Sequence, residues 1–203
     1  PVVAGLAGAL FPAFGYLPAL GGKSFGFGAF GALFAEPGML KSIMLSLFTG
    51  LAATLLSLAI VMAAIGASSD TPAFRWLTSF TGPLLAVPHA AAAFGFLFLF
   101  APSGFLARLL SPELTGWTRP PDILFPNDPM GLSLIVGLVV KEVPFLFLVA
   151  LSAMAQVRML EGRRLVAAFG YGRLAGFLLG LWPQLYRQIR LAVFAVLAFS
   201  ATV

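Results

Sequence analysis

The chain has no cysteine, which excludes disulfides, thiolate nucleophiles and cysteine-held metals and leaves the redox compartment unreadable. It has one histidine, His89. There is no His-Glu-x-x-His pair and no Gly-x-Ser-x-Gly elbow, so nothing joins a nucleophile to its base or a metal to its ligands. Neither an enzyme nor a metal site is expected. A phosphate-binding loop is missing as well. Gly22-Lys23-Ser24 matches the end of one, but that motif needs Gly five residues before Gly22, and Leu17 stands there. Charge is scarce too: 9% of the 203 residues are charged and 60% are hydrophobic. A mean hydropathy of +1.01 exceeds what a soluble core of this size requires, and long near-chargeless runs are the mark of bilayer spans.

What is present reads as an all-α membrane protein, a polytopic helical bundle of about five spans. Pro1 to Leu20 is apolar and about 20 residues long, enough to cross a bilayer. The rival reading, a signal peptide, should open on basic residues, and no charge precedes Lys23. The second span is Lys41 to Ile65. Its Ser46, Gly50, Thr54 and Ser57 recur at helical spacing, a stripe that suits close helix packing better than substrate lining. A short polar turn with Asp70 and Arg75 follows. Leu77 to Ala101 is the third span, with Pro83 and Pro88 in its first half and His89 just beyond. Proline there removes a backbone donor and kinks a helix, which is tolerated when neighbours satisfy the freed carbonyls. Pro102 to Met130 is a long loop, and Phe105 to Leu110 suits a short interfacial helix. Trp76, Trp117 and Trp182 all fall in or beside loops, where an indole prefers the membrane–water boundary.

Gly131 to Met154 is the fourth span, kinked at Pro144. Lys141 and Glu142 lie about 15 Å along it at the usual helical rise. Ionisable groups at that depth are costly unless they face protein, water or each other. Neighbours in sequence point about 100° apart on a helix, so each needs a partner on another helix. Lys141, Glu142 and His89 are therefore candidates for a translocation pathway, with a structural ion pair between helices as the alternative. Gln184 to Val203 begins a fifth span.

The remaining charge is concentrated in one place. Six of the twelve Lys and Arg fall between Arg158 and Arg190, and only Glu161 opposes them. A net charge of +5 could signal nucleic acid in a soluble domain. Here the basic residues sit beside apolar spans, so lipid head groups and topology account for them, and no nucleic-acid partner is expected. Lys and Arg beside a span resist translocation. The 156–190 loop is thus expected in the cytoplasm, and counting spans back puts the N-terminus there too. Leu160, Leu165, Ala168 and Phe169 mark an amphipathic helix ending at Gly170, the residue type favoured just past a helix C-terminus. Gly172 permits a second change of direction. A second helix should run from Arg173 to Trp182 and end before Pro183.

Gly170 followed thirteen positions later by Pro183, after Ala167 and Ala168 and between late spans, resembles the "EAA" loop of the permease subunits of bacterial ATP-binding-cassette importers. The wider layout from about Phe27 to Val203 resembles that family's MetI-like transmembrane domain, with Phe27, Phe30, Leu33 and Phe34 before a span carrying Ser46. One departure stands out: the family's Glu-Ala-Ala falls on Arg164, Leu165 and Val166. Arg164 reverses the usual charge, and Glu161, one turn earlier, is the substitute acidic contact.

The resemblance implies one permease domain over residues 1–203, an excerpt of a longer chain, with residues 156–183 as its coupling loop. It implies an inner-membrane subunit that lines a translocation pathway and has no cofactor of its own, ATP being bound by a cytoplasmic ATPase dimer. Glu161, Arg164, Ala167, Ala168, Gly170, Gly172 and Pro183 would then carry the ATPase coupling. A periplasmic binding protein and a second permease domain are the other expected partners. The nearest branch handles thiamine, ferric iron, sulfate or polyamines. The alternative is an ion-coupled secondary transporter or channel using Lys141 and Glu142.

Overall fold

The computed structural model describes residues 2–68, 71–126, 128–157 and 159–202, with side chains throughout except those of Met159, Leu160, Arg163 and Arg173. Asp70 and Arg158, named among the charges above, lie outside these residues. The regular elements described are all helical: α1 (Val2–Ala13), α2 (Gly28–Ala35), α3 (Met39–Ser68), α4 (Pro72–Ala86), α5 (His89–Phe100), α6 (Phe105–Leu110), α7 (Leu132–Met154), α8 (Met159–Ala168), α9 (Arg173–Gly176) and α10 (Trp182–Ser200), with a π-helical turn at Phe177–Leu181. Three helical stretches among them are long and apolar enough to cross a membrane: Met39–Ser68, His89–Leu110 and Leu132–Met154.

By contact the chain divides into two compact units, Pro1–Leu45 and Ser46–Val203. In the first unit the run Pro1 to Leu20, expected as a span, is α-helical over Val2–Ala13 and does not continue as an α-helix to Leu20. The reason is local. Beyond Pro12 the chain turns at Gly15, whose φ is +84°, and at Gly21, whose φ is +90°, and Leu17 and Gly22 form a bridge. The rings of Phe11, Tyr16 and Phe25 pack on one another around this turn, Tyr16 and Phe25 stacking at 4.8 Å.

In the second unit α3, α7 and α10 meet around Val61, Ile65, Leu146, Ala150, Leu185 and Ile189, all fully buried. α3 carries its polarity the opposite way from a soluble helix. Thr49, Thr54 and Ser57 are buried, whereas Leu47, Phe48, Leu51, Leu55 and Leu56 face outward. An apolar outer face over such a length suits lipid and would be a liability in water. The small-residue stripe is a packing surface. A Cβ on Gly50 would stand 2.7 Å from the Ala201 nitrogen, and the Ser46 hydroxyl donates to the Ala201 carbonyl at 2.7 Å.

The expected third span is not one helix. α4 ends at Ala86, Val87 is extended with ψ 121°, and α5 begins after Pro88. Proline lacks an amide hydrogen and its ring clashes with the carbonyl four residues back, so the helix breaks there. The fourth span is found as expected. Gly131 stands at its N-cap with φ +68°, and Asp128 accepts hydrogen bonds from the Leu132 and Ser133 amides. These bonds and that of the Ser133 hydroxyl hold the Asp128 carboxyl below its ordinary value. The segment before Pro183 differs. No helix ends there: α9 passes through the π turn into α10, with Pro183 in the first turn of α10.

Candidate functional site

Pro88 frees the carbonyl four residues back, that of Leu84. The Lys141 ammonium donates to it at 3.3 Å, and to the Val87 carbonyl at 2.6 Å. A cation at mid-span thus caps the C-terminal end of α4, where unpaired carbonyls and the helix dipole favour positive charge. Glu142, one residue on, turns the other way and is 6% exposed. Its Oε1 accepts from the Ser200 hydroxyl of α10 at 2.5 Å. Its Oε2 is buried with no hydrogen-bond partner, as are Thr54 Oγ1 and Ser57 Oγ of α3. The adjacent pair does not pair with itself. Each member reaches another element.

His89, the first residue of α5, sets its ring edge-on to Phe199 at 5.6 Å. His89, Lys141 and Glu142 all line one cavity of about 280 Å³, together with Phe199 and Ser200. The three pathway candidates, 52 and 53 positions apart along the chain, therefore meet in space. Ser200 and the Leu84 and Val87 carbonyls complete the site. Nothing in the pattern of α10 singled out Ser200. The carbonyls were within reach of the sequence, since a proline points to the residue four positions back.

The basic segment forms an elbow. α8 ends at Ala168, Gly170 turns the chain with φ +77°, and α9 returns against α8. The contact is made by small residues. A Cβ on Gly176 or Gly180 would run into the Val166 side chain, and one on Gly162 into that of Leu181. The packing face of α8 is thus Gly162 and Val166. Leu165 and Phe169, which mark the apolar side of this amphipathic helix in the sequence, are 60% and 72% exposed. Glu161, Arg164, Ala167, Ala168, Gly170 and Gly172 are exposed, and none of them lines the cavity. Leu181 and Ser200 lie at opposite ends of α10, about 28 Å apart at helical rise.

Fold and site together define a class: a helical chain with three membrane-capable stretches, a charged cavity between its helices and a basic elbow at the end of α10 far from that cavity. Over 172 residues, 85% of the chain, it is 28% identical to the inner membrane ABC transporter permease protein YnjC of Escherichia coli (strain K12). The chain spans about a third of that protein's length, 32%. No family profile matches the chain, and no solved structure matches it.

Proposed function

We propose that the chain is a membrane-spanning permease subunit of an ATP-binding-cassette importer in a bacterial inner membrane, its fold being of the MetI-like type. The observation that carries this reading is the elbow at Gly170. Its exposed surface mixes Arg164 with Leu165, Phe169 and Tyr171, a composition suited to a protein partner. Residues 156–183 act as the coupling loop, lie in the cytoplasm and dock on an ATPase dimer that binds the ATP. Glu161, Arg164, Ala167, Ala168, Gly170 and Gly172 face that partner, and Pro183 starts the helix through which its motion reaches the cavity. A periplasmic binding protein delivers the substrate, and a second permease domain completes the pathway. The likeness to a permease nearly three times as long supports the class. That relative is an ABC transporter permease, which supports the ABC assignment.

A second reading has its own observation. His89, Lys141 and Glu142 line one cavity at mid-span, as an ion-coupled transporter or channel would require. One experiment separates the two. Proteoliposomes of the intact transporter should lose uptake when ATP is withdrawn, and an ATPase subunit should co-purify. Uptake that survives without ATP, driven by an ion gradient, would replace the importer reading with the second.

A further inference from the structure

A second cavity, of about 460 Å³, lies outside the sites described so far, between α6 and the loop that follows it. Its lining includes the guanidinium-bearing Arg108 and Arg119, the indole of Trp117 and three hydroxyl residues, Ser103, Ser111 and Thr118. Among the described residues no carboxylate lines it, although Glu113 and Asp122 stand close by in sequence. Neither guanidinium has a hydrogen-bond or ion-pair partner among the described residues. Both side chains are exposed at the cavity, and a guanidinium offers a planar fork of donors that matches the oxygens of a phosphate.

The cavity is held in shape. Gly104 is buried at the turn into α6, where a Cβ would stand 2.7 Å from the Phe98 carbonyl oxygen. The Ser111 and Thr115 hydroxyls are 2.7 Å apart, the Trp117 amide donates to Thr115 Oγ1 at 3.2 Å, and the Gly116 amide to the Pro112 carbonyl at 2.7 Å. The neighbouring surface is apolar. Phe98 stacks on Phe105 at 6.1 Å, and Phe98 and Leu109 are 65% and 64% exposed. Donor-lined cavity and outward aromatic wall thus adjoin at the end of a membrane-capable stretch.

We propose that this cavity is a phosphate-ester site, in which Arg108 and Arg119 grip the phosphoryl oxygens and Trp117 covers the attached organic group. The adjoining apolar wall assigns the ester to an anionic glycerophospholipid, whose acyl chains lie along Phe98, Phe105 and Leu109. The other source of the same chemistry is a soluble phosphate. This site does not depend on the importer reading.

The test uses the purified full chain in detergent. Native mass spectrometry measures retention of phosphatidylglycerol against phosphatidylcholine, and Trp117 fluorescence follows titration with inorganic phosphate. Arg108→Gln and Arg119→Gln should each weaken phosphatidylglycerol retention by about tenfold, the usual scale for losing a charge-assisted bond. Arg75→Gln, at an exposed arginine of α4, should leave it unchanged. Unaltered elution and melting of the variants show that the fold survives. Should either fail to fold, Arg108→Lys and Arg119→Lys keep the charge, lose the fork and should weaken retention less. Inorganic phosphate that binds the wild type, displaces the lipid and is lost in the variants would move the source to a soluble phosphate while keeping the site. Equal retention of lipid and phosphate by wild type and double variant would overturn the proposal.

Discussion

The mid-span cavity and the elbow both carry charge against the chain's otherwise apolar character, and they use it in opposite ways. In the cavity, polar groups are turned inward and most are satisfied within the chain. Lys141 caps carbonyls of α4 and Glu142 accepts from Ser200. At the elbow the inward contacts are made by glycines and Val166, and Arg164, Leu165 and Phe169 face out. A group already bonded within its own chain contributes to folding or to a gate. An outward face of mixed charge and aromatic area has no such internal role, and the proposed function gives it a partner outside the chain. On that reading structure and passage fall to one region and contact to the other.

The largest blow to the inward region should come from Gly50→Leu. The new side chain meets backbone of Ser200 and Ala201 rather than a movable side chain, so α3 and α10 must separate. Overpacking of this kind costs ~1–3 kcal/mol, at the upper end where backbone must shift. Thermal unfolding in detergent should show the loss, together with disturbance of the neighbouring Glu142–Ser200 bond. An unchanged melting temperature would mean that the two helices are not held together at this point.

Lys141→Met sharpens the comparison further. It leaves the Leu84 and Val87 carbonyls without their donor, at a cost of ~1–3 kcal/mol. Lowered stability together with lowered transport is expected. Transport lost at full stability would make Lys141 a substrate-binding charge and not a cap.

The smallest effect lies outside the spans. Hydrogen bonds from Ser133 hold Asp128 below the ordinary carboxyl value of 3.8. Its contribution is therefore complete above that value and is lost as pH falls through the lowered one. Asp128→Asn should flatten the acid limb of a pH–stability profile and change little near neutrality. An acid limb identical to that of the wild type would remove Asp128 as its cause.

The spans were legible where hydropathy and length agree, as in α3 and α7. The same measure missed where α1 ends, because an apolar run interrupted by Pro12, Gly15 and Pro18 keeps its hydropathy past Ala13 while losing its helix. Pro88 was visible as a kink, but a full break with α5 restarting at His89 leaves carbonyls to which Lys141 donates, a contact 54 residues away in sequence. At the elbow, Gly170 was legible from its place after an amphipathic run. The inner face was not, because hydrophobicity pointed to Leu165 and Phe169, whereas close approach of two short helices selects Gly162, Gly176 and Gly180. Ser200 gave no signal, since a lone serine near the end of an apolar helix has no pattern to stand out from.

The central claim is that the Gly170 elbow is held by a partner outside this chain, and Gly170→Ile tests it most directly. A β-branched residue at φ +77° is strained by about 1–2 kcal/mol, and no neighbouring atom lies within 4 Å to complicate the result. Uptake driven by ATP should collapse while membrane insertion and expression stay at wild-type levels and the cavity remains intact. Normal uptake by that variant, properly inserted, would contradict the account.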